Sequence, residues 1–273
     1  MLMNSDFLEG LVIHATDGEV GKVDQFLFDD ERWIIRYFTV QTGGWLGGRQ
    51  VLISPMSVAR ADWDGKLLDV TLTKQQVENS PDIDTKLPVS RQHEAAFLGY
   101  YGYPFYWSGS SLSDGSMYPV GIPVAAPDQA ALAGQEAPGD SHLRSSGTVT
   151  GYDIEATDGD IGHLDGFVID DEGWLIRYIE IATRNWLPGK KVLLSPGWVT
   201  GVSWDDSKVY AGVTMEAIRN APDYIVSERL TREYEARLYS HYSRPPYWQA
   251  GAISTYGLRT KADWKRVRYS HAE

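Results

Sequence analysis

The chain has 273 residues and no cysteine, and its 25 lysines and arginines stand against 37 aspartates and glutamates, a formal net charge of −12. That length suits one large domain or two of ordinary size. The missing cysteines exclude disulfide frameworks, thiolate metal sites and a thiol nucleophile, and the acidic excess disfavours broad binding to nucleic acid or anionic lipid.

No run approaches the roughly 18 consecutive apolar residues of a spanning helix, and the opening MLMNSDFLEG has neither a basic region nor an apolar stretch. A soluble, cytoplasmic chain is the expectation. Self-similarity then decides the organisation. An offset of 141 residues holds without a gap from Ala15/Ala156 to Trp107/Trp248, with about 36 of 93 aligned pairs identical. The sequence is thus predicted to hold two copies of one β-rich domain.

Each copy opens with a short apolar strand, Leu11 to His14 or Gly151 to Ile154, followed by Asp17-Gly18 or Asp158-Gly159, a pair that readily turns a hairpin. A second strand spans Val20 to Phe28. Asp29-Asp30-Glu31 and Asp170-Asp171-Glu172 interrupt it with turn residues, and a third strand runs from Trp33 to Gln41. On that strand Ile34, Phe38 and Val40 share one face, and Trp33, Ile35 and Tyr37 share the other; copy two repeats this with Leu175, Ile179 and Ile181 against Trp174, Ile176 and Tyr178. Two apolar faces imply a barrel interior on one side and a covering element or neighbouring domain on the other.

A wide turn at Gly43 to Arg49 keeps only Trp45, Leu46 and Gly48 in copy two, as Trp186, Leu187 and Gly189. Strand four, Gln50 to Ile53, stops at Ser54-Pro55, and short strands near Ala61 to Trp63 and Leu67 to Leu72 finish the sheet. Thr73 with Gln76 forms a capping box for a short helix to Asn79, of which copy two keeps only the Thr214 half. A second helix is predicted over Arg91 to Leu98 and Arg232 to Leu238. An aromatic exit follows, ending in Tyr106-Trp107 or Tyr247-Trp248.

Residues 108–147 are rich in Ser, Gly, Ala and Pro and nearly uncharged, the composition of a flexible linker. The predicted division is a first domain over 1–107, the linker, a second domain over 148–250, and a tail over 251–273. In the tail Arg259, Lys261, Lys265, Arg266 and Arg268 surround Trp264 and Tyr269. It either frays or folds back on the acidic body, or it touches an acidic partner, a complex or a membrane surface.

The acidic turns offer oxygen ligands of the type calcium and magnesium need, yet their spacing matches no calcium loop, and no metal is expected there. Arg36 and Arg177 lie on an otherwise apolar face and must be paired or reach the barrel rim; Asp24 and Asp165 on the preceding strand are the candidate partners in a structural ion pair, and a polar docking point is the alternative. The six histidines share no metal spacing and no position common to both copies. A nucleophile elbow, a P-loop and a dinucleotide fingerprint are all missing, so no catalytic residue, cofactor or enzymatic activity is expected. The candidate interaction residues are the aromatics Trp33, Trp45, Tyr106, Trp107, Trp174, Trp186, Tyr247, Trp248 and Trp264, serving either to seal their own domains or to anchor a partner.

The runs GKVDQFLFDDERWIIRYFTVQTGGWLGGRQVLISP and GHLDGFVIDDEGWLIRYIEIATRNWLPGKKVLLSP resemble the PRC-barrel family, over roughly residues 7–80 and 149–221. The resemblance implies two small β-barrels in tandem, each followed by short helices and joined by the linker. It also implies an interaction module: a bacterial scaffold or adaptor for an unidentified protein partner, with the two barrels packed as an internal pseudo-dimer. Two further roles come with the family, one beside photosynthetic or other membrane electron transfer, as for the reaction-centre H subunit, and one in ribosome or RNA assembly.

Overall fold

The computed structural model describes residues 1–81, 89, 91–104, 142–183, 189–226 and 230–249. Tyr106, Trp107, Trp186, Trp264, the basic tail and the body of the expected linker lie outside the described residues. The chain divides into two compact units: an N-unit of Phe7–Phe28 and Ile35–Arg144, and a C-unit of Met1–Asp6, Asp29–Ile34 and the chain from Ser145 onward.

The fold is mainly β. In chain order the first strands are β1 (Leu2–Asn4), β2 (Val12–Ala15), β3 (Gly18–Asp29), β4 (Ile34–Thr42), β5 (Gln50–Ile53), β6 (Val58–Asp62) and β7 (Leu67–Val70). The later ones are β8 (Leu143–Ser145), β9 (Asp153–Ala156), β10 (Gly159–Asp170), β11 (Leu175–Thr183), β12 (Lys191–Leu194), β13 (Val199–Ser203) and β14 (Lys208–Ala211). Among the described residues the α-helices are α1 (Lys74–Glu78), α2 (Arg91–Tyr101), α3 (Ser146–Val149), α4 (Met215–Arg219) and α5 (Arg232–His241).

In the N-unit the strand order is β5-β4-β3-β2-β7-β6. The C-unit repeats it as β12-β11-β10-β9-β14-β13. The pairs β2–β3, β4–β5, β6–β7, β9–β10, β10–β11, β11–β12 and β13–β14 run antiparallel, whereas β2 with β7 and β9 with β14 are parallel. The expected hairpin closes by pairing Ala15 with Gly18 and Ala156 with Gly159, and the carboxylate of Asp17 then accepts the first backbone N–H of α1 at 2.7 Å. Thr73 and Gln76 complete their capping box, whereas Thr214 caps α4 alone. Ser54-Pro55 ends β5 in a single turn of 3₁₀ helix, as a missing ladder donor requires.

Both faces of β4 are buried from Ile34 to Val40. The element covering one of them is α2, which runs three residues beyond its expected end: Phe97 and Leu98 pack with Leu27, Tyr37, Leu52 and Leu143, and Phe97 meets the Tyr37 ring edge-on at 5.1 Å. In the C-unit α5 does the same, with Tyr239 against Tyr178 and Trp198.

Two expectations change. Trp33 and Trp174 are not strand residues; each sits in the left-handed region (φ 57° and 54°) and closes the acidic turn, Trp33 donating its N–H to Asp29 O at 2.7 Å. Residues 142–147 are not linker. They supply β8 and the start of α3, and β8 pairs with β3. By the 141-residue offset β8 corresponds to β1, which pairs with β10. Each leading strand therefore joins the long strand of the copy it does not precede. Three residues are too few to show alternation, so neither leader was legible in the pattern.

Candidate interaction site

Thr231 caps α5 by accepting the Tyr234 N–H at 3.2 Å, and helical spacing then sets Glu235, Leu238, Tyr239 and Tyr242 on one buried face. A carboxylate at the first of these positions, only 2% exposed, needs partners. Glu235 Oε1 accepts the Tyr178 hydroxyl at 2.7 Å and the Tyr247 hydroxyl at 3.1 Å, while Oε2 pairs with Arg232 Nη1 at 3.0 Å. Arg232 Nη1 also donates to the Tyr247 hydroxyl, at 3.2 Å.

Above this carboxylate the aromatic exit is laid down by cation–π contacts. Arg177 stacks over the Tyr247 ring at 4.3 Å and Arg232 over the Trp248 ring at 4.2 Å, and Trp248 meets Tyr239 edge-on at 5.4 Å. Arg177 is held in turn by Asp170 Oδ2 at 2.6 Å. Tyr247 and Trp248 remain half-buried and Arg232 is 54% exposed, so the C-unit presents two aromatic rings and a guanidinium to solvent over a buried anion.

Burial pushes the Glu235 carboxyl above the ordinary carboxylate value, and the Tyr178 hydrogen bond and Arg232 pull it back. Burial and the adjacent Glu235 charge push the Tyr247 hydroxyl up to about 12. The N-unit holds the corresponding buried carboxyl group: Glu94, fully buried on α2, accepts the Tyr37 hydroxyl at 3.0 Å and meets His142 Nε2 at 3.0 Å. Glu94 and Glu235 are the functional-looking residues that reading by motif passes over. Their signal was the duplicated Arg-x-x-Glu-Ala, Arg91 to Ala95 and Arg232 to Ala236.

A second polar network belongs to the C-unit alone. Glu180, 1% exposed, accepts from Asn4 Nδ2 and pairs with Lys191 Nζ, which also bonds Asp165 Oδ2 at 2.6 Å; Asn4 Nδ2 reaches the Tyr224 hydroxyl at 3.4 Å. Burial raises the Glu180 carboxyl, and Lys191 and Asn4 oppose it. The Lys191 ammonium works against its own burial, yet hydrogen bonds to Asp165 and Glu180 raise its pKa overall. At the matching positions copy one has the uncharged Thr39 and Gln50.

The raised carboxyls give a pH prediction. Both Glu180 and Glu235 hold a proton more tightly folded than unfolded, so their contribution to stability is fully present below the unfolded carboxyl pKa and is lost as pH rises through the raised value. Replacing either with glutamine removes that loss. The melting temperature of the Glu180→Gln, Glu235→Gln chain is expected to fall less than that of the parent as pH rises above the ordinary carboxyl range, when followed by circular dichroism.

The remaining candidates are placed as follows. Trp33 and Trp174 are buried, 5% and 6% exposed. Trp45 is half-buried, donating Nε1 to Val20 O at 2.7 Å beneath Lys74 Nζ, so it fastens its own turn. Among the described candidates, Tyr247 and Trp248 are the pair brought together at a surface.

The expected partner of Arg177 is corrected from Asp165 to Asp170. The antiparallel register sets Asp170 opposite Leu175, two residues from Arg177, while the neighbours of Asp165 face Glu180 and Ile181. Asp24 likewise accepts from Gln50 Nε2, at 3.1 Å. Within the acidic turns Asp29 Oδ1 accepts the N–H groups of Glu31 and Arg32, which stabilises the turn itself. Among the described residues no three His, Asp or Glu side chains are grouped to hold a metal ion, and no helix is long and apolar enough to cross a membrane.

No protein-family model matches the sequence. A relative is found. Over 71 residues, 26% of this chain, it is 37% identical to an uncharacterized protein of Deinococcus radiodurans. The match spans 25% of that protein's length, so the likeness is local.

Proposed function

We propose that the chain is a non-enzymatic tandem PRC-barrel scaffold whose two copies act as one internal pair, and that it holds a protein partner through the Tyr247, Trp248 and Arg232 patch of the C-unit. The patch is the observation that carries this reading. Aromatic rings and arginine dominate binding hot spots because they offer large, stiff contact areas at small entropic cost. Here Glu235 and Asp170 fix the two guanidiniums, and the guanidiniums fix the rings, so a partner meets a surface already in place. The family resemblance of both copies supports the same assignment.

The test compares proteins co-purified from the native host with the tagged full-length chain and with its Trp248→Ala variant, quantified by mass spectrometry. Losing a hot-spot ring lowers affinity by about tenfold or more. At least one abundant co-purified protein is expected to fall by that factor, with the far-ultraviolet circular dichroism unchanged. Recovery of the same proteins at the same levels refutes the patch as the docking surface.

A further inference from the structure

We infer that the edge of β10 is a strand-acceptor site, and that a second copy of this chain is a partner for it, inserting its own β1 to make an exchanged dimer. The occupant in the single chain defines what the site takes. β1 adds to β10 antiparallel, with Leu2 opposite Asp170, Met3 opposite Ile169 and Asn4 opposite Val168. Backbone pairing alone would accept any extended segment. Side chains make it selective: Met3 and Asn4 are 6% and 2% exposed, Asn4 Nδ2 donates to Glu180 and reaches Tyr224, and the Ser5 hydroxyl accepts the Phe167 N–H at 3.0 Å.

The other leader of the chain does not fit this slot. At the position of Asn4 it carries Ser145, whose short hydroxyl lacks the amide that meets buried Glu180, and the slot on β3 presents Thr39 where β10's neighbour strand presents Glu180. Leader and slot are therefore matched by a polar code, and the segment that satisfies Glu180 is residues 2–5. A second molecule supplies that same segment.

Exchange of an identical element recreates every contact already made within one chain, so its equilibrium depends on the connecting segment and on concentration. That connection is the 3₁₀ turn Ser5–Phe7, across which the chain passes from the C-unit to the N-unit between Asp6 and Phe7. A leader of three paired residues is also a small piece to release.

The chain has no native cysteine, which makes the exchange directly readable. Met3→Cys chains labelled with nitrogen-15 and unlabelled Ile169→Cys chains are mixed, partly unfolded in urea, refolded together at high concentration and oxidised. A disulfide joining position 3 of one isotope to position 169 of the other, well above the statistical share of mixed dimers, is the expected product. Mixed dimers at the statistical share overturn the inference.

Because both cysteines replace buried residues, the unaltered sequence is refolded in the same way and examined by native mass spectrometry beside Asn4→Asp, which sets a carboxylate against Glu180. A dimer that is several-fold less abundant in Asn4→Asp supports leader exchange. A chain that stays monomeric, or a dimer undiminished by Asn4→Asp, refutes it.

Discussion

Gly21→Ala is expected to destabilise the fold by about 3 kcal/mol or more, near the top of the range for forcing extra atoms into a packed interior. A Cβ at Gly21 would lie 2.2 Å from Gln41 O and 2.9 Å from Thr42 Cα, and these are backbone atoms of β4 that cannot rotate away. The strand pair has to separate, and with it the ladder that both buried faces of β4 depend on. Gly162→Ala adds to the same clash, 2.1 Å from Ala182 O, the strain of a φ of +146°, and should cost more. Urea midpoints measure both, with Glu19→Ala, an exposed position on the same strand, expected within about 0.5 kcal/mol of the parent. A Gly21→Ala chain as stable as the parent would mean that the two strands do not approach as described.

Glu94→Ala should be at least as damaging, by about 3–5 kcal/mol, the cost of removing one partner of a buried pair. The reason is what stays behind. The Tyr37 hydroxyl loses its 3.0 Å acceptor and His142 its 3.0 Å carboxylate, all inside the layer where α2 covers the sheet. Glu94→Gln keeps a carbonyl for Tyr37 and is expected to recover part of the loss. The urea midpoint and the near-ultraviolet tyrosine signal report the two outcomes, and equal midpoints for Ala and Gln would remove the hydrogen bond from the account.

These two sites differ in how far a reader of the sequence could reach them. Gly21 and Gly162 stand in the duplicated Gly-x-Val/Leu-Asp run, so their importance was visible although its cause, a neighbouring backbone too close to admit a Cβ, was not. Glu94 and Glu235 were duplicated too, but a glutamate on an ordinary helix reads as solvent-facing, and only burial against Tyr37 and Tyr178 makes it an anchor. Trp33 and Trp174 were visible as repeated aromatics, yet their left-handed turn conformation is set by the five-residue return of the chain and not by any preference of tryptophan. The interaction patch was half legible: Tyr247 and Trp248 stood out, while the arginines that orient them come from a separate strand and helix.

Local chemistry explains this division. Alternation, turn residues, proline stops and helix caps act between neighbours in the chain, so the sequence by itself determined the repeat, the mainly β character, the positions of β3, β4, β5 and their counterparts, and the capped short helices. Pairings over long separations depend on which surfaces remain open once those elements exist. The tertiary structure alone decided that Arg177 takes Asp170, that Glu235 gathers Tyr178 and Tyr247, and that β1 and β8 complete the long strands of the copies they do not precede. A three-residue strand carries too little pattern to name its partner; an open sheet edge and a buried Glu180 needing an amide do.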